Sequence, residues 1–350
     1  MRLSVIISSF EGNVRHLQFN YRDYQFIRKH HLPKLTRAEM AELRKVWPCF
    51  KFRNLDLGWS RMYKVKKGFS PYFVNDVQYA QLLKRTNPIN QVVSLQNKAL
   101  CDVYFPDIPF PTVFVRRLNG VCFDTEMNQI TLDEACKRLL QQKEFVVKPS
   151  VDTRCGAGVE IVNCEEKTDA DIKRLLEMEG DNFIAQEVVS QHEVIHRMNE
   201  TSLNCCRIAT LWMGGKFDYA ASLKIGKKGA HIDNWNSSYF VGIQKDGTLM
   251  DVGYDSDLKE VRESDSGIVF AGLKYPYFDK MTKLIERMHK KYFPNCGIIG
   301  WDILIDASGE PKVIETNLDF PGIRALQLCN NLFFEPFHDE IMKIMSYEKN

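Results

Sequence analysis

The sequence predicts an α+β fold in which antiparallel hairpins dominate, helices lie between them, and a helical segment comes first. Three observations carry this. From about residue 91 onward, short apolar runs bounded by turn residues recur at strand length. The dipeptides Asn119-Gly120, Gly214-Gly215 and Asp246-Gly247 join pairs of such runs closely enough for hairpins. Helical patterns alternate with the strands, as in TLDEACKRLL (131–140), ADIKRLLEME (170–179) and YPYFDKMTKLIERMHKKYF (275–293).

In chain order, residues 1–90 read as a helical, basic N-terminal region. Thr36 and Glu39 form a capping box ahead of an apolar periodicity, and Asn75 is placed to cap the helix NDVQYAQLLKRTN. Between them, KFRNLDLGWSRMYKVKKGFSPYF reads either as a loop packing its aromatic residues on a helical cap or as a basic binding surface. Two lobes are expected to follow, over 91–190 and 191–350. The first holds the hairpin TVFVRRLNGVCF (112–123) and the strands EFVVKPS, GVEIVN and FIAQEVV. The second holds the long hairpin NCCRIATLWMGGKFDYAASLKIG (204–226), the turn in IQKDGTLMDVG, and a terminal hairpin.

Totals narrow the class. With 350 residues the chain exceeds one typical domain. Lys+Arg 47 against Asp+Glu 45 leaves no bulk field for nucleic acid, and no nucleic-acid partner is expected. The 10 cysteines include no C-x-x-C pair, which favours scattered buried thiols and a reducing, cytoplasmic setting. The N-terminal apolar stretch is too short for a signal peptide, and no apolar run is long enough to cross a membrane.

The terminal hairpin GIIGWDILIDASGEPKVIETN (297–317) raises a chemical question. Its first arm is apolar yet carries Asp302, and its second carries Glu315 and Asn317. An even-numbered loop would set Asp302 against Val313 and place Asp302, Glu315 and Asn317 on one face. An odd loop or a bulge would separate the faces. Two carboxylates about 6 Å apart at an effective dielectric near 20 repel by roughly 3 kcal/mol, and a divalent cation would reverse that sign.

Other stretches carry weaker signals. In VVKPSVDTRCGAGVEIV, Lys148 ends a strand and Gly156 and Gly158 follow; this is either a phosphate cradle or a tight connection beside a surface lysine. Arg207 stands mid-strand among apolar residues and needs anionic partners, either a phosphate or a structural carboxylate. Lys224 on the partner strand projects toward the same space. His231, Asp233 and Asn234 form a polar cluster, either a site or an ordinary loop.

Taken in order, an early lysine, a strand lysine with a glycine loop, a connecting strand, a strand arginine and a terminal D…E-x-N set resemble the ATP-grasp superfamily over roughly residues 91–330. The sugar-transfer-associated branch is most similar, through its helical N-terminal segment, its SLN-x-x-RI strand (here Ser202 to Ile208) and its DNW cluster (here HIDNWNSSYF). The resemblance implies an ATP-grasp fold, antiparallel sheets with helices holding a nucleotide between two lobes. It implies ATP and one or two Mg2+ ions as cofactors. Lys98 and Lys148 would touch phosphates, and the segment Thr153 to Gly158 would close over them. Gln186 to Val189 would hold adenine, with Glu187 accepting through its backbone. Glu193, or His192 in its place, would bind ribose. Arg207, assisted by Lys224, would meet the reacting oxygens; Asp302, Glu315 and Asn317 would hold the metal.

The expected activity is an ATP-dependent ligase. A carboxylate donor would form an acyl phosphate and pass it to an amine or other nucleophile, with His231, Asp233 and Asn234 orienting a small-molecule or sugar-linked acceptor in cell-surface polysaccharide biosynthesis. A kinase acting on a hydroxyl is the first alternative, and a non-catalytic nucleotide-binding protein the second.

Overall fold

The computed structural model describes residues 24–50, 58–151, 158–230, 237–330 and 332–346. The chain divides into one unit of residues 1–86 with 331–350 and a second unit of residues 87–330.

In the first unit, Thr36 and Glu39 make the expected capping box at the start of the helix Arg37–Val46. Asn75 Oδ1 accepts from the Val77 and Gln78 amides, and Gln78 Oε1 accepts from Asn75 N, at the head of the helix Asp76–Thr86. The aromatic segment between them is a helix over Gly58–Lys67 where a loop was expected. The reason is visible in the spacing: Trp59, Met62 and Tyr63 recur at i, i+3 and i+4, and all three are buried. Tyr63 stacks on Phe73 with ring centroids 4.6 Å apart. Trp47 donates its indole N–H to Pro71 O at 2.7 Å and packs against His338. Trp59, Tyr63, Tyr72 and Phe73 therefore serve packing.

The second unit carries two sheets, and every described strand pairing is antiparallel. The first is built from β1 (Val113–Leu118), β2 (Val121–Phe123), β3 (Gln129–Ile130), β4 (Glu144–Pro149), β5 (Glu160–Asn163) and β6 (Phe183–Gln186), ordered β3-β2-β1-β6-β4-β5. Asn119 and Gly120 both take positive φ, 49° and 83°, as a two-residue turn between β1 and β2 requires. Val115, Phe145, Val147, Phe183 and Ala185 alternate onto one face, where they meet Ala135, Leu139, Ile172 and Leu176. Those four come from the helices Leu132–Leu140 and Asp169–Met178, each opened by a capping box from Thr131 or Thr168.

The second sheet comprises β7 (Cys206–Met213), β8 (Lys216–Gly226), β9 (Ser238–Ile243), β10 (Leu249–Tyr254), β11 (Glu260–Val261), β12 (Ile298–Ile305) and β13 (Pro311–Asn317), ordered β11-β10-β9-β8-β7-β12-β13. Ile299, Trp301, Ile303 and Ile305 of β12 point into a core with Met281, Ile285 and Met288 of the helix Phe278–Tyr292. Alternation sends Gly300 and Asp302 to the opposite face. Cys206 joins the core, while Cys205 lies on the other face with its Sγ 3.5 Å from Ile303 O.

The terminal hairpin departs from the expected register. Its strands close at Ile305–Pro311, so residues 306–310 form an odd connection that alone would set Asp302 against Ile314. A bulge between Asp302 and Ile303 then inserts Ile314 as an extra residue, and Asp302 faces Glu315 directly while Gly300 faces Asn317. Asp302 thus opposes Glu315, not Val313. Each irregularity alone would part the two carboxylates; together they restore a common face.

Beneath this sheet His289 is fully buried. Its Nδ1 lies 2.7 Å from Thr210 Oγ1 and its Nε2 2.8 Å from Cys296 O, while Trp301 Nε1 donates to Thr210 Oγ1 at 2.9 Å. Both ring nitrogens are satisfied in the neutral form, with Nε2–H donating to the carbonyl and Nδ1 accepting from the hydroxyl. Burial lowers its pKa to about 4. An unfolded histidine titrates near 6.5, so this residue's contribution is fully present above that pH and is lost as pH falls from 6.5 toward 4, by about 3 kcal/mol at the limit. Urea midpoints followed by tryptophan fluorescence are expected to drop between pH 7 and pH 4.5, and His289→Gln to flatten that slope.

Candidate functional site

The first sheet brings a buried lysine to the face that the helices leave open. Lys148 lies opposite Ile184 of β6, and Arg116 of β1 pairs with the same Ile184, so the three form a row across the sheet. Lys148 is only 8% exposed. Burial, then the neighbouring Lys98 charge, lower its pKa to about 8. Among the described residues no hydrogen bond or ion pair reaches its ammonium, although it lines a pocket together with Lys98, Gln186 and Glu315. A buried cation without a bonded partner is costly, and an anion in the pocket would offset that cost.

Lys98 arrives on the segment leading into the short helix Cys101–Tyr104. Its backbone N–H donates to Ser150 O at 3.1 Å, just past Lys148. Arg116, buried in the row beside Ile184, donates to Ala99 O at 2.7 Å and makes a bidentate pair with Asp102 at 2.8 and 2.7 Å. The Lys98 ammonium lies 3.4 Å from Glu315 Oε1.

The polar face of the second sheet supplies the remaining charges. Arg207 of β7 stands directly opposite Asp302 of β12 and binds it through Nε–Oδ1 at 2.7 Å and Nη2–Oδ2 at 2.8 Å. Lys224 Nζ comes within 3.6 Å of Asp302 Oδ1, and Asn317 Nδ2 within 3.4 Å of Oδ2. Burial raises the Asp302 pKa, but the charges of Arg207 and Lys224, with hydrogen bonds from Arg207 and Asn317, hold it down to about 2. The remaining guanidinium nitrogen, Arg207 Nη1, lies 3.5 and 3.6 Å from where a Cβ would stand on Gly300 and Gly322.

Other expected positions fall as follows. Gly158 takes φ +75°, and a Cβ there would meet Pro149 Cδ at 2.9 Å, so this glycine is required on both counts. Thr153 and Gly156 lie outside the described residues, as do His231, Asp233 and Asn234. Gln186 lines the pocket at the end of β6. Glu187 donates its N–H to Thr112 O at 2.9 Å and pairs its carboxylate with Lys312 at 2.7 Å. Among the described residues no backbone hydrogen bond engages Glu187 C=O or Val189 N–H. His192 caps the short helix Glu193–His196 by accepting from Val194 N. The Glu193 side chain is 82% exposed and its described partner is Arg197.

Among the described residues there is no cluster of three or more His, Cys, Asp and Glu side chains fit to hold a metal. The donor set that remains, Asp302 and Glu315 face to face with Asn317 two residues on, consists of hard oxygens from two carboxylates and an amide. It suits Mg2+, which keeps several waters and shares phosphate oxygens instead of filling an all-protein cage. Among the described residues, Asp302 Oδ1 accepts one hydrogen bond, from Arg207, and keeps a second lone pair, whereas Oδ2 accepts from both Arg207 and Asn317.

A family model for sugar-transfer-associated ATP-grasp proteins matches residues 77–339, well over half of the chain. The chain belongs to the sugar-transfer-associated ATP-grasp family. No curated protein matches the sequence. Among solved structures, this ATP-grasp protein is similar to D-alanyl-alanine synthetase A from Vibrio cholerae O1 biovar eltor at 14% identity, over 75% of this chain and 73% of that one, with a TM-score of 0.43. A D-cycloserine synthetase is 15% identical over 88% of this chain and 95% of its own, with a TM-score of 0.46. An L-amino acid ligase from Bacillus licheniformis is 12% identical over 73% of this chain, which spans 49% of its length, with a TM-score of 0.39.

By that family match, residues 77–339 of this α+β chain form an ATP-grasp fold. No described helix of this ATP-grasp protein is long and apolar enough to cross a membrane. The structure also explains the asparagine of the SLN-x-x-RI strand. Asn204 Nδ2 donates to Ile195 O and Asn199 O, and its Oδ1 accepts from Gly226 N, so it ties the end of β8 to the turn before β7. Sequence reading missed Gln96, Asp102 and Arg116, which hold the Lys98 segment. Their only linear signal was a polar pair beside an apolar run.

Proposed function

We propose that the pocket between the two sheets binds ATP with Mg2+ and that the protein is an ATP-dependent ligase. The observation that carries this is the convergence of Lys98, Lys148, Arg207 and Lys224 around Asp302 and Glu315, with the Lys148 ammonium buried and, among the described residues, unbonded. Four cations beside two carboxylates complement a polyanion such as a triphosphate, and phosphoryl transfer needs chiefly positioning and charge neutralisation.

In this reading the lobe over 91–190 brings Lys98, Lys148, the Thr153–Gly158 segment and the linker Gln186–Val189, and the lobe over 191–350 brings the metal-ligating face. Glu187 C=O and Val189 N–H meet the adenine edge. The exposed Glu193, or His192, lies toward the ribose. Asp302, Glu315 and Asn317 would hold Mg2+, which when bound neutralises phosphate charge. Arg207, locked by Asp302, steadies the reacting oxygens with Lys224 beside it. A substrate carboxylate oxygen attacks the γ-phosphorus and ADP leaves. An amine then attacks the acyl carbon, phosphate departs and the nitrogen loses a proton. His231, Asp233 and Asn234 orient the acceptor, and the family's description as sugar-transfer associated supports a product of cell-surface polysaccharide assembly made by a cytoplasmic enzyme.

The test is to incubate the protein with Mg·ATP and pools of amino acids, peptides and nucleotide sugars. Phosphate release is expected only when a carboxylate and an amine are both present, with a product lighter than their sum by one water. A product heavier by one phosphoryl group would replace the ligase with a kinase, and nucleotide binding without turnover would leave only a binding protein.

A further inference from the structure

The segment that carries Lys98 is tied to both sheets. On the first-sheet side it is held by the bond from Lys98 N to Ser150 O and by Arg116 on Ala99 O and Asp102. On the second-sheet side, beside the Lys98–Glu315 pair, a described tie runs through one side-chain oxygen. Gln96 Oε1 accepts from both Leu318 N and Asp319 N, each at 3.0 Å. These are consecutive amides directly after Asn317, where β13 ends and its ladder no longer supplies acceptors.

We propose that Gln96 is a positioning residue that holds the Lys98 ammonium in register with the Glu315 carboxylate of β13. The inference rests on the nucleotide-site reading and adds a role that the phosphate contacts do not require. Lys98, two residues along the chain from Gln96, meets Glu315, three before Leu318, at 3.4 Å, so the tie and the charge pair join the same two segments. A long flexible side chain cannot set its own ammonium position, whereas two amides converging on one oxygen fix the backbone on either side of it. With Gln96 Oε1 removed, both amides must turn to water, and the strand exit carrying Asn317 is released from the Lys98 segment.

The experiment is a double-mutant cycle read by the calorimetric dissociation constant for Mg·ATP. Gln96→Met, which keeps length but removes the acceptor, is expected to weaken binding about tenfold. Gln96→Glu keeps an oxygen for both amides and is expected to stay within about threefold of the parent. In a Lys98→Met background, Gln96→Met is expected to add no further loss, because its effect passes through that ammonium. Gln96→Asn, which withdraws the oxygen by one methylene, carries the same expectation should the methionine variant not fold. An equal loss with and without Lys98, or a Gln96→Met protein that binds like the parent, would overturn the positioning role. A parent protein that binds no Mg·ATP would instead overturn the site reading beneath it.

Discussion

Asp302→Ala is expected to eliminate Mg-dependent ATP turnover, by at least about a thousandfold, and to destabilise the second unit by about 3–5 kcal/mol. The stability loss follows from the bidentate pair with Arg207, which joins β7 to β12 one pair from the end of their ladder with Lys224 beside it. Removing the carboxylate leaves two cations close together and poorly solvated. Asp302→Asn separates the two roles. The amide oxygen still accepts from Arg207 and fills the same space, so thermal melts are expected to show a smaller shift than for alanine. An amide is a much weaker Mg2+ ligand, so turnover is expected to fall nearly as far. If Asp302→Asn retained parental turnover with Mg2+, the metal role of this carboxylate would be rejected.

Lys148→Met is expected to weaken Mg·ATP binding roughly 10- to 150-fold, the range for losing one hydrogen bond to a charged group. Its pH dependence is the sharper readout. Burial and the Lys98 charge lower the Lys148 pKa to about 8, so the ammonium is lost progressively above that pH. A bound phosphate would favour the charged form and raise the pKa again. Binding near pH 8.5 should therefore take up a proton, and affinity should be level below about pH 7 and fall as pH rises through 8. Calorimetry in buffers of different ionisation enthalpy counts that proton. Lys148→Met is expected to abolish the uptake; uptake that persists in the variant would assign it to another group.

Local signals carried much of the architecture. Turn dipeptides such as Asn119-Gly120 need positive φ that few residues adopt, so they announce hairpins wherever they stand. The capping box at Thr36 acts within four residues and marked a helix start equally well, and the structure adds further boxes at Thr131 and Thr168. The apolar run of β12, interrupted by one acid, was legible because a buried carboxylate demands a partner. Less legible was the aromatic segment before residue 68, where lysines on the outer face masked a helical spacing whose buried members are Trp59, Met62 and Tyr63.

From its sequence alone this protein is an α+β chain of hairpins with an ordered set of lysines, an arginine and terminal acids, because propensity, turn chemistry and charge are properties of neighbouring residues. Which charges meet was decided by the tertiary structure. An odd connection and a compensating bulge put Asp302 against Glu315, strand pairing put Arg207 against Asp302, and the Gln96 and Arg116 ties bring Lys98 across to β13. Those contacts span from thirteen to more than two hundred residues of chain. They depend on register and packing between distant elements, which no local pattern encodes.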